Sequence, residues 1–146
     1  MAGYMDALAH GCYLITTALD GKRYGMTCSW AVQVDYDRVM LVIGGQSATG
    51  RAIRKSRVFG VSVLASDQRE LALRFGAGHS SRRDKFDGVE TLDGSLGVPL
   101  MAGSLRTFEC RLVDDEAHPG SLVGIISHFR IRRKAARPLL LCDVDH

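Results

Sequence analysis

The sequence predicts a β-rich α+β fold: an antiparallel barrel or sandwich of six or seven strands with two or three short helices. Three observations lead there. β-Branched and aromatic residues recur in short runs. Turn signals separate those runs at fairly even spacing. Helical periodicity surfaces only briefly, so long helices regularly interleaved with parallel strands are not expected. The chain of 146 residues, 46% apolar and 24% charged, fits one globular domain over 1–146.

The first run is Cys12 to Leu19 (CYLITTAL), closed by Asp20-Gly21, a strong hairpin signal. The second is Tyr24 to Val34 (YGMTCSWAVQV), read as one strand up to a turn at Asp35-Tyr36-Asp37. Val39 to Ile43 (VMLVI) is wholly apolar and suits a strand buried on both faces. Ser47 is placed to cap a helix over roughly Thr49 to Ser56. Val58 to Leu64 alternates as a strand. Ser66 and Asp67 then suggest a capping box before a helix ending near Phe75. Gly76 to Gly103, with six glycines, reads mostly as loop, and loops of that length are often functional. Leu105 to Val113, Leu122 to Ile131 and Pro138 to Val144 read as three final strands.

Several function classes are disfavoured. The net charge of +3 is too small to demand a nucleic-acid partner. No apolar stretch approaches the roughly 20 residues that cross a bilayer. The N-terminus lacks a basic segment followed by an apolar run, so a cytoplasmic protein is expected. Cysteines 12, 28, 110 and 142 have no C-x-x-C spacing and are expected to be free thiols in a reducing compartment. The histidines at 10, 79, 118, 128 and 146 show no metal-ligand spacing, so no metal is expected. No nucleophile motif, P-loop or dinucleotide glycine motif is present, and the carboxylates are scattered through turns.

Four stretches carry potential chemistry. Thr27-Cys28-Ser29 interrupts an apolar strand with short polar side chains. These would let a flat ligand reach the backbone, or would simply mark a solvated face. Gln46-Ser47-Ala48-Thr49 precedes a helix, where orphan amides and the dipole favour an anion, or where a serine merely caps. Arg51 and Arg54 follow within a turn and could help hold a phosphate. The run 80–86 (SSRRDKF) is a charged loop closed by an aromatic. Arg130 to Arg137 holds five basic residues in eight and is read as an exposed hairpin tip rather than a phosphate-binding surface.

Taken in order, these pieces resemble the flavin reductase-like family, the FMN-binding split barrel. The matching segments are HGCYLITT, DGKRYGMTCSWAVQV, SATGRAIRKS, VFGVSVLASDQRELALRFG, the DKF tripeptide at Asp84 to Phe86, GVPL with GSLRTFECRLVD, a strand carrying Gly124, and a closing PLL. The likeness runs from about Gly11 to Asp143.

The resemblance implies a Greek-key split β-barrel that forms a homodimer, with flavin sites at or near the subunit interface. It implies FMN as cofactor, with FAD also compatible, and NAD(P)H as reductant. Isoalloxazine contacts map onto Met26, Thr27, Cys28, Ser29 and Trp30, and phosphate contacts onto Gln46, Ser47, Ala48 and Thr49. Lys85 and Phe86 would reach back over the cofactor. The protein would contribute no catalytic acid or base. His118 stands one place out of register with a Gly-Asp-His segment whose histidine contacts nicotinamide in related reductases. Asp37-Arg38-Val39 replaces the family's usual Asp-Pro-Pro, and Gly45-Gln46 stands where many relatives carry a basic residue. The implied activity is NAD(P)H:flavin oxidoreduction, with a protein electron acceptor compatible. The alternative is a non-enzymatic FMN electron carrier reduced by a partner protein.

Overall fold

The computed structural model describes residues 7–43, 47–76, 85–114 and 120–144. Strands β1 (Tyr13–Leu19) and β2 (Lys22–Cys28) form the expected hairpin. Asp20 and Gly21 both take positive φ, 53° and 77°, as the two central residues of a type I′ turn must. Strands β3 (Ala31–Asp35) and β4 (Arg38–Val42) follow, then helix α1 (Ala48–Ser56) and strand β5 (Val58–Val63). A 3-10 turn at Ser66–Gln68 leads into helix α2 (Arg69–Gly76). The chain continues through β6 (Thr91–Asp93), β7 (Pro99–Met101), β8 (Arg106–Asp114), β9 (Ser121–Ile131) and the single-turn α3 (Leu141–Val144).

Seven strands make one antiparallel sheet in the order β2-β1-β5-β8-β9-β4-β3, curled into a half-barrel. β6 and β7 form a separate small hairpin. Strand alternation divides the core. Ile15, Leu41, Ile53, Phe59, Val61, Cys110 and Leu122 fill the inside of the curl. Leu14, Leu64, Ala72, Phe75, Phe86 and Met101 pack on the outer face, under α2. β1 feeds both clusters through Ile15 and Leu14, which explains why Leu14 to Thr17 are buried without alternation.

Five expectations need correction. The run 24–34 is two strands: after Cys28 the chain turns a corner and changes partner from β1 to β4. β4 is not buried on both faces; Val39, Leu41 and Ile43 are buried, while Met40 and Val42 remain partly exposed. The capping box at Ser66 and Asp67 is replaced by Gln68, whose Oε1 accepts from the Ala65 amide at 2.9 Å, while Asp67 pairs with Arg133. The stretch 138–144 is not a strand. It makes isolated bridges at Pro138 and Leu140 and then turns into α3, where the Asp143 carboxylate accepts from the Leu140 amide. The basic run 130–137 is not a hairpin tip. Its Arg132 and Arg133 amides both donate to the Leu105 carbonyl, and Arg133 forms a two-pronged pair with Asp67 at 2.9 Å. All four cysteines are free thiols. Among the described residues, no helix is long and apolar enough to cross a membrane.

Candidate functional site

β2 is an edge strand, hydrogen-bonded to β1 on one side and standing at the end of the sheet order. An edge exposes backbone donors and acceptors along its free side. Alternation sends Lys22, Tyr24, Met26 and Cys28 to one face and Arg23, Gly25 and Thr27 to the other. On that second face β2 packs against α2. A Cβ on Gly25 would lie 2.9 Å from the Phe75 ring and 3.0 Å from Phe86, so only glycine lets α2 approach so closely.

Thr27 donates its hydroxyl proton to the Ala72 carbonyl at 2.6 Å, so that proton is committed to α2. Ser29 Oγ lies 3.7 Å from Cys12 Sγ, a weak contact that leaves most of its donor capacity. Cys28 is buried, and burial pushes its thiol up to about 11, so it is neutral near pH 7 and not a nucleophile. Trp30 is 49% exposed.

The corner after β2 positions the second half of the site. The Trp30 carbonyl accepts from the Val42 amide at 2.8 Å, so the end of β2 lies beside the end of β4, a few residues before α1 begins. At α1 the Ser47 side chain accepts from the Gly50 amide at 2.8 Å, as an N-cap does. Ala48 is exposed and Thr49 buried. The first amides of a helix have no partner within it. The first turn of α1 holds no acidic residue, and Arg54 and Lys55 stand in its last turn. This donor set fits a phosphate, and the small side chains beside an open strand edge fit a planar ring.

The start of α1 stands beside β2, with Ala48 sharing a cavity wall with Lys22 and Tyr24. Lys85 and Phe86 are placed differently, on the α2 side of β2. Lys85 Nζ donates to the Phe75 carbonyl at 3.2 Å near the end of α2, where a cation complements the helix dipole, and partial burial lowers its pKa. Phe86 is buried edge-to-face against Phe75, with the Arg23 guanidinium 4.7 Å above its ring. Gln46, His118 and the loop 80–84 lie outside the described residues.

Two features escaped the sequence reading. A cavity of about 310 Å³ lies between β2 and α1, with Lys22, Tyr24, Arg51 and Lys55 in its wall. The alternation of Lys22 with Tyr24 and the helical spacing of 48, 51, 52 and 55 were its signal. A larger groove of about 820 Å³ opens along β3 and β9, lined by Val32, Tyr36, Phe108, Phe129 and Ile131 among others.

The profile of the flavin reductase like domain family matches residues 5–145. The reductase subunit HsaB of a flavin-dependent monooxygenase from Rhodococcus jostii is 34% identical over 112 residues, covering 75% of this chain and 55% of that protein. A ferric-chelate reductase (NAD(P)H) from Archaeoglobus fulgidus is 34% identical over 112 residues, covering 74% of this chain and 66% of that one. The chain thus spans between just over half and two thirds of the length of these two relatives. Among solved structures, the Streptomyces globisporus NADH:FAD oxidoreductase superposes with a TM-score of 0.85 at 23% identity, covering 94% of this chain and 84% of that one. A homolog of nitrilotriacetate monooxygenase component B from Mycobacterium thermoresistibile gives 0.80 at 28% identity, covering 91% and 75%. With a matching profile over nearly its whole length and a serine-capped helix beside the edge strand β2, the chain belongs to the flavin reductase like domain family.

Proposed function

We propose that this chain is an NAD(P)H:flavin oxidoreductase acting in the cytoplasm, using FMN or FAD, and that it hands reduced flavin to a partner protein such as a monooxygenase. The observation that supports this reading is the start of α1 lying beside the edge strand β2, where Ala48 shares a cavity wall with Lys22 and Tyr24. The relatives named as reductases and as a monooxygenase reductase subunit support it.

A bound flavin would supply the redox chemistry, accepting hydride from nicotinamide at its N5 atom. The residues of this chain bind and orient. The free edge of β2 over 26–28 and the corner that follows at Ser29 and Trp30 would offer backbone groups to the ring's polar edge, with Ser29 adding a hydroxyl. Such fixed donors stabilise negative charge on a reduced ring. Ser47, Ala48 and Thr49 would hold the phosphate through amides and hydroxyls, aided by the positive end of α1. Lys85 and Phe86 support β2 from behind through α2. No side chain has to move a proton, so rate enhancement comes from positioning.

The test is spectroscopic. Purified protein mixed with FMN or FAD and freed of excess ligand should carry the absorbance of an oxidised flavin. NADH or NADPH added anaerobically should bleach it within seconds. Failure to retain or titrate either flavin would overturn the reading. Binding without bleaching by either nucleotide would make the chain an electron carrier reduced by another protein.

A further inference from the structure

We propose that the basic ridge 130–137 docks an acidic face of a partner protein within reach of the proposed flavin stretch; the reach, though not the docking, rests on the flavin reading above. The ridge holds the cations Arg130, Arg132, Arg133, Lys134 and Arg137. Alternation along β9 and just past its end turns Arg130 and Arg132 away from the face on which Phe129 and Ile131 line the larger groove. Arg132 Nε donates to Thr107 Oγ1 at 3.0 Å, while Arg106 and Phe108 on either side of Thr107 face the groove.

The ridge has a fixed shape. The Arg132 and Arg133 amides donate to the Leu105 carbonyl at 2.8 and 3.0 Å, and the Arg137 carbonyl accepts from the Ser66 amide at 2.8 Å. The Arg133 guanidinium is committed to Asp67 and to the Gly103 carbonyl, all at 2.9 Å. Arg130, Lys134 and Arg137 are exposed, and among the described residues no hydrogen bond or ion pair engages their side chains. A charge run on a loose loop spreads out into solvent. Here ordered backbone keeps three uncompensated cations along one short stretch, and their fields add. An acidic surface relieves that repulsion, and complementary charge steers the encounter.

The strand register places the ridge. Cys28, Tyr13, Val63, Arg106 and Ile131 stand in one row across neighbouring strands. Cys28 belongs to the proposed ring-binding stretch and Ile131 to the ridge. Four strand steps of about 4.8 Å separate them, about 19 Å along the sheet. A standard interface takes about 800 Å² from each partner, a patch about 30 Å across, so one such patch spans the distance.

The chemistry favours a protein over other polyanions. Single-stranded nucleic acid needs exposed rings for its bases. The ridge contains no aromatic residue, and the adjacent Phe129 stacks on Phe108 at 6.0 Å on the groove side. A membrane surface would call for several large apolar side chains among the cations, and the ridge has Ile131 alone, turned to the groove.

The experiment measures, by fluorescence anisotropy, the binding of a labelled short polyglutamate peptide and of an oligodeoxythymidylate of equal charge to the whole chain. The ridge variant is Arg130→Glu/Lys134→Glu/Arg137→Glu. The control, Lys22→Glu/Lys55→Glu/Arg111→Glu, carries the same net charge, and all six side chains are exposed, so both variants should fold. Polyglutamate should bind the wild type more tightly than the oligonucleotide does. Its affinity should fall at least about tenfold in the ridge variant and no more than about twofold in the control. Flavin retention and bleaching should stay at wild-type levels in the ridge variant.

Four results would overturn the proposal while leaving the flavin reading intact. Equal losses in the two variants would reduce the binding to net charge. Tighter oligonucleotide binding would assign the ridge to nucleic acid. Co-sedimentation with phosphatidylserine vesicles that the ridge variant loses would assign it to a membrane. No polyglutamate binding, or the same binding in the ridge variant, would leave the ridge a solvated surface. Polyglutamate bound at the ridge of a chain that retains no flavin would overturn the flavin reading and keep the docking surface.

Discussion

Ser47 caps α1, and chemistry can separate that role from the phosphate contact proposed for it. As an N-cap its Oγ accepts from the Gly50 amide at 2.8 Å. As a phosphate ligand it would donate its proton outward. Ser47→Ala loses both roles and should cost about 1 kcal/mol of stability. Ser47→Asp keeps the cap, since aspartate caps as well as serine and favours the helix N-terminus. It also places a negative charge where a phosphate would lie. The expected outcome is a Tm at or near wild type with flavin affinity reduced at least about tenfold, read by thermal melting and fluorescence titration. Wild-type flavin affinity in Ser47→Asp would remove the phosphate from this helix. The serine was legible in the sequence because capping is local chemistry spanning three residues. Thr27 was less so. Its hydroxyl proton goes to Ala72, 45 residues away, and only the docking of α2 decides that. The sequence marked 27–29 as unusual, but not that the Thr27 hydroxyl proton is committed to α2.

Elements show the same division between local and long-range causes. The runs forming β1, β5, β8 and β9 were readable because alternation and β-branched content are properties of the run itself. The β6–β7 hairpin was missed, since strands of three residues carry too little pattern. What holds it is a long-range contact from β8. Glu109 is 2% exposed, and its carboxylate accepts from the Ser95 amide at 3.0 Å and the Leu96 amide at 2.6 Å. A buried carboxylate fixed by two backbone donors clamps the turn of that hairpin to the sheet. Glu109→Gln keeps one acceptor but turns an NH₂ group toward the other amide. It should cost about 1.5–3 kcal/mol, the range of hydrogen bonds to charged groups, read as a lowered urea midpoint with unchanged m-value. Ser95 and Leu96 should lose hydrogen-exchange protection first. An unchanged midpoint would mean the turn holds without its clamp. The end of the chain went wrong for a related reason. A short apolar run such as PLLLC fits strand and helix alike, and the Asp143 carboxylate capping the Leu140 amide settles it as a helical turn.

At the scale of the whole molecule, the sheet stops short of closing, with β2 and β3 at its two ends. β3 is mostly exposed, and Val32 and Val34 within it and Trp30 and Tyr36 at its two ends are exposed apolar residues, Tyr36 at 95% exposure. Val32 and Tyr36 share the wall of the groove of about 820 Å³ with Phe129 and Ile131 of β9, which are also exposed. Scattered apolar residues are ordinary on a surface, but a contiguous stretch beside an open strand edge marks an interface. We propose that a second copy covers it, because an isologous dimer buries the same patch on both chains and leaves neither exposed. Light scattering on the eluting peak should then give twice the chain's mass. Val32→Glu with Ile131→Glu would bury like charges against an apolar partner and should convert it to a folded monomer, since both side chains are exposed within one chain. A monomeric wild type at tens of micromolar would defeat the dimer. In that dimer Trp30 would couple the interface to the proposed flavin site, because it ends the proposed ring-binding stretch and stands next to β3. The double variant should therefore lose flavin affinity together with its partner. A monomeric variant with wild-type flavin affinity would instead show that one chain completes the site alone.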